Sequence, residues 1–98
     1  MKTEIITSLK ELSKIIDENK EELYNIDARG IVLDKIESIG VPVRQSADTA
    51  IGSEYQFFNS VRNLLNSLIH DLIINNQNPD IGLKMRSDIG LILAIYDE

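Results

Sequence analysis

His70 is the one histidine in this chain, and no cysteine accompanies it. Imidazole is the side chain that most readily carries protons or ligates metals near neutral pH. Any catalytic or metal centre would therefore have to join His70 to carboxylates. Its sequence neighbour Asp71 is poorly placed for that, since successive side chains on a helix diverge by about 100°. The acid pairs Asp17-Glu18 and Glu21-Glu22 sit among other charged residues, without the apolar surroundings that raise a carboxyl pKa. No serine occupies a G-x-S-x-G turn, and Gly40, Gly52, Gly82 and Gly90 are isolated, so no phosphate-binding loop is formed. The chain offers no catalytic residue, metal-ligand set or cofactor motif, and a non-enzyme is expected.

A second constellation is better organised. Asn59, Asn63, Asn66 and His70 follow one another at spacings of 4, 3 and 4, which places them along one side of a helix. The result is a polar ridge with almost no charge. Such a ridge costs less to desolvate than one of lysines and glutamates, and its amides can hydrogen-bond across an interface. These four residues are the candidate partner-binding site. The plainer reading is a solvated helix face that uses amides.

The element that must carry the ridge runs from Ser53 to Ile74. Tyr55, Phe57, Phe58, Val61, Leu64, Leu65, Leu68, Ile69, Leu72 and Ile73 fall within half of its circumference, and polar residues, Asp71 among them, fill the rest. Ser53 with Gln56 reads as a capping box that starts it. At 1.5 Å per residue this stretch spans about 33 Å.

Three other helices are expected around it. The first covers Thr3 to Leu23, with Ile5, Leu9, Leu12, Ile16 and Leu23 on a narrow seam. Asn19 falls on that seam, either as a polar core residue or because the last turn is exposed; the exposed turn is the expectation. The second starts at a cap on Asn25 or Asp27 and runs to Ile39, with Ile31, Val32, Leu33, Ile36 and Ile39 apolar. Gly40 followed by Val41 and Pro42 reads as its C-terminal stop, leaving Val41 to Gly52 as a linker, helical in part. Asn78-Pro79 opens the fourth, with Ile81, Met85, Ile89, Ile92 and Tyr96 on one face. Gly90 is read as a close-packing position. Short strands at Gly30–Leu33 and Ile89–Ile95 are the alternatives, the latter lacking a partner strand.

The predicted fold is all-α: an antiparallel bundle of about four helices with a long central third helix, formed as a single domain by residues 1–98. The 98 residues are 43% hydrophobic and 27% charged, the balance of a globular chain. No run approaches the ~20 apolar residues of a membrane span, and the start of the chain lacks the pattern of a signal peptide. A cytoplasmic protein that engages no membrane is expected. The net charge of −6 is spread along the chain. It opposes nucleic-acid binding, and it lacks the dense carboxylate ridge of a DNA mimic.

Helix three and the tail of helix four, where Leu91, Leu93 and Ile95 lie off the main face, carry more apolar surface than a thin bundle must bury. A homodimer through these two helices accounts for that excess, and so does a third helix that touches all three others.

In length and helix layout the chain resembles the bacteriocin immunity proteins, single cytosolic domains built as antiparallel four-helix bundles, although many of those are basic. NLLNSLIHDL, a polar break and then IGLILAIY resemble the helical hairpin that ends small enterobacterial biofilm and acid-resistance regulators. The first resemblance implies a protein-binding module that occludes its partner, of immunity, antitoxin, inhibitor or small-chaperone type. The alternative is a homo-oligomeric regulatory or structural protein.

Overall fold

The seam Ile5, Leu9, Leu12 and Ile16 repeats at the 3–4 spacing that keeps one helix edge apolar, and all four side chains are buried on α1 (Lys2–Asn19). The structure, a computed structural model, describes residues 1–97. Three further helices follow: α2 (Ile26–Thr49), α3 (Gly52–Ile74) and α4 (Ile81–Tyr96). No strand occurs among the described residues, and both segments weighed as strands are helical. The four helices form an antiparallel bundle measuring 39 × 23 × 19 Å. Each packs against its sequence neighbours and α4 returns to α1, so α3 lies between α2 and α4.

α1 ends at Asn19, a turn before Leu23. The half-buried Asn19 amide donates to the Ile15 carbonyl at 2.8 Å, and two successive turns, Glu22 N to Asn19 O and Asn25 N to Glu22 O, redirect the chain. Leu23 still reaches the core from this turn. Asn25 caps α2 as expected, its side-chain oxygen accepting from Asp27 N at 2.8 Å.

The largest correction concerns Gly40. α2 does not stop there but continues through Val41 and Pro42 to Thr49, and the predicted linker shrinks to Ala50 and Ile51. Packing explains the extension. Val32, Ile36, Ile39, Val43 and Ala47 form one buried line that crosses the proline without a break. Proline removes one backbone hydrogen bond, at a cost of about 3 kcal/mol in a helix interior, whereas burying Val43 and Ala47 with their helical backbone returns more than that. Within the same helix Ile31 turns outward and is exposed.

α3 starts at Gly52, whose φ of +63° makes the corner after α2. Ile51 flanks its first turn without a side-chain hydrogen bond, so the Ser53–Gln56 capping box does not form. The buried face is narrower than the apolar half-cylinder: Tyr55 and Ile73 are 41% and 62% exposed, while Asp71 is only 4% exposed. α4 begins two residues after Pro79. The Asn78 side chain accepts from Asp80 N at 3.0 Å, closing a turn that precedes the helix.

Gly82, not Gly90, is the close-packing glycine. A Cβ at residue 82 would stand 2.7 Å from Lys20 Cβ, whereas Gly90 is exposed with nothing within 4 Å of that position. At the other end of the bundle Phe57 meets Phe58 and Tyr96 edge to face, with ring centroids 5.1 and 5.0 Å away.

Candidate functional site

α3 presents the predicted ridge along its outer surface, since its opposite side, from Phe57 to Leu72, is locked into the core. Asn63, Asn66 and His70 are exposed, and among the described residues their side chains make no hydrogen bond. Asn59 differs. It is half-buried and its side-chain oxygen accepts from the Arg62 guanidinium, so the ridge has three open members and one occupied one.

The borders of the ridge follow from its neighbours. On the α2 side, Arg62 and Asn66 lie over a narrow seam with Gly40 and Arg44. On the α4 side, Ser60 is 3.3 Å from the Tyr96 hydroxyl, and Asp71 accepts from Lys84 Nζ at 2.8 Å. The Lys84 ammonium also reaches Asp88 at 2.9 Å. These two hydrogen bonds, that to Asp71 above all, hold its pKa above the ordinary lysine value despite partial desolvation. On the far side of α4, Arg86 Nη1 pairs with Asp17 Oδ1 of α1 at 2.8 Å. The Lys20 hydrogen bond, and then the Arg86 charge, lower the Asp17 pKa.

His70 and Asp71 diverge, His70 to solvent and Asp71 inward. Arg62 and His70 stand eight residues apart, about 12 Å along the axis. Arg62 lines the narrow seam against α2, and His70 does not. Among the described residues no three His, Cys, Asp or Glu side chains are grouped to hold a metal ion. Among the same residues no helix is long and apolar enough to cross a membrane.

Asp71 is the polar core residue that sequence reasoning missed, having been assigned to the polar half. The signal was present: it falls seven residues after Leu64 and three after Leu68, on their apolar line. A second feature had no local signal. Where α1 and α3 begin and α2 and α4 end, a cleft of about 540 Å³ opens over Phe57, Phe58 and Tyr96, with Lys2 at its mouth. Its walls come from all four helices and meet only through the tertiary fold.

Comparison of the chain with protein-family models, with curated proteins and with solved structures returns no match.

Proposed function

We propose that this chain is a non-enzymatic protein-binding module that acts in the cytoplasm by occluding a partner protein, as immunity proteins, antitoxins, inhibitors and small chaperones do. The observation that carries the reading is the open stretch Asn63, Asn66 and His70: three exposed polar side chains without hydrogen-bond partners among the described residues, in register on a helix whose other side is anchored in the core. Their donors and acceptors are satisfied by water in the free protein and are available to a partner's backbone or amide groups. A rigid helix face limits the entropy lost on docking.

The test compares the wild type with Asn63→Glu and Asn66→Lys variants in capture experiments from the native host, each variant first matched to wild type by circular dichroism and thermal melting. A protein retained by the wild type and lost from both variants is the expected result. Retention unchanged in both variants overturns the assignment of the ridge.

A second reading, a homodimer through α3 and α4, is favoured by one specific observation. Leu91 and Ile95 are exposed. They stand seven residues after Lys84 and Asp88, the pair nearest Asp71, and so lie on the edge of α4 that borders α3. Light scattering that gives a monomer mass across the micromolar range removes this reading. A dimer mass that an Ile95→Glu variant halves establishes it.

A further inference from the structure

We infer that the cleft at the aromatic end of the bundle is a binding site for a small monocarboxylate with an apolar body, such as a medium-chain acyl or aryl acid. This assignment is independent of the ridge on α3, which lies on another face. The cleft, about 540 Å³, is within the range of small-molecule sites, about 300–1,000 Å³. One side is apolar: Ile95, 66% exposed, and the partly exposed Tyr96 ring, which packs edge to face on the buried Phe57, while Ser46, Thr49 and Ser53 make the other side polar.

The head group follows from Lys2. Its ammonium lies 5.5 Å from the Phe57 ring centroid and 5.7 Å from that of Tyr96, within reach of both π faces. Among the described residues no carboxylate pairs with it and no acceptor takes its protons; Lys10, Lys20, Lys35 and Lys84 each have an acidic partner, and Lys14, which like Lys2 has none, does not line the cleft. The other cation on the lining, the Met1 amine, is engaged by Glu4 at 3.3 Å. Among the described residues Lys2 is therefore a positive charge without an acidic partner, near two aromatic rings in a protein of net charge −6. One cation matches one carboxylate, and the hydrogen bond between them is charge-assisted. Glu54 also lines the cleft, and its charge disfavours di- and trianions there.

Octanoate is the probe, with 1-octanol as the neutral control of equal chain length. Titration of the isotopically labelled full chain is expected to give saturable shifts centred on Lys2, Phe57, Ile95 and Tyr96, with octanoate bound at least about tenfold more tightly than octanol, the difference that one modest ionic hydrogen bond makes. Lys2→Gln should remove that preference while leaving octanol binding unchanged. Ile95→Glu, at an exposed wall position, should abolish octanoate binding without unfolding the bundle. No saturable octanoate binding, equal affinity for acid and alcohol, or a preference that survives Lys2→Gln would each overturn the proposal.

Discussion

Lys84 Nζ donates to Asp71 Oδ2 at 2.8 Å, and that bond is the side-chain hydrogen bond by which the most deeply buried carboxylate among the described residues is satisfied. Lys84 itself is half-exposed and keeps Asp88 as a second partner, so the two ends of the pair are unequal. Removing the lysine strands a charge in the core, whereas removing the aspartate leaves an ammonium that still has a partner and water.

Lys84→Met is accordingly expected to lower stability by about 2 kcal/mol, less than for a fully buried pair because solvent already screens the ammonium. Asp71→Leu should cost less, and the double variant should recover most of the loss. Urea unfolding of the four proteins, read as a double-mutant cycle, measures the asymmetry.

The same pair sets an alkaline limit. Hydrogen bonds raise the Lys84 pKa above its ordinary value of 10.5. The stabilisation is complete below that value and is lost as pH rises through the higher folded pKa. Wild-type stability should thus fall towards that of Lys84→Met above pH 10.5, the two curves converging in melts recorded along a pH series.

The two helical glycines of α4 should respond in opposite directions to alanine. At Gly82 the added methyl meets Lys20 Cβ at 2.7 Å and the Lys20 backbone at 3.2 Å, so overpacking of about 1–3 kcal/mol exceeds the gain in propensity. At Gly90 there is nothing to meet, and the gain of about 1 kcal/mol stands alone. Thermal melts should show a lower Tm for Gly82→Ala and a Tm higher by about 4–8 °C for Gly90→Ala.

Gly52→Ala should destabilise for a different reason. The space around Gly52 is empty, but its φ of +63° is unfavourable for a side chain by about 1–2 kcal/mol. A matched Gly30→Ala variant, in open space within α2 and without a positive φ, is the control that should not lose stability.

Pro42→Ala is expected to stabilise by about 1–2 kcal/mol. Alanine restores an N–H towards the Ser38 carbonyl inside α2, a gain partly offset by the greater freedom of the unfolded chain. Chemical denaturation checks the sign.

How far the sequence could be read depended on whether the deciding force was local. The helix faces on α1 and α4 were legible because periodic burial of Ile, Leu and Met is a local signal, and Asn25 was legible as a cap for the same reason. Gly40 and Pro42 misled, since a local stop signal was overridden by the core line from Ile39 to Val43, which only the neighbouring helices reward. Asp71 misled because its chemistry argued for solvent while its position argued for the core, and its partner lay thirteen residues away on another helix. The ridge on α3 was legible as a face, but the tie between Asn59 and Arg62 required side-chain geometry. The Lys2 cleft had no sequence signal, because it joins residues from both ends of the chain.

The return of α4 to α1 bears on how the chain acquires its structure. Contacts between α1 and α2, α2 and α3, and α3 and α4 join neighbours in sequence, so each hairpin closes a short loop. Arg86 and Asp17 are separated by 69 residues, and bringing them together closes most of the chain into one loop, a larger loop-closure loss than that of any hairpin. The α1–α4 seam therefore supplies the contacts of greatest sequence separation in this bundle. Gly82 and Arg86 both sit on that seam, and opening it would put the apolar faces of α1 and α4 in water.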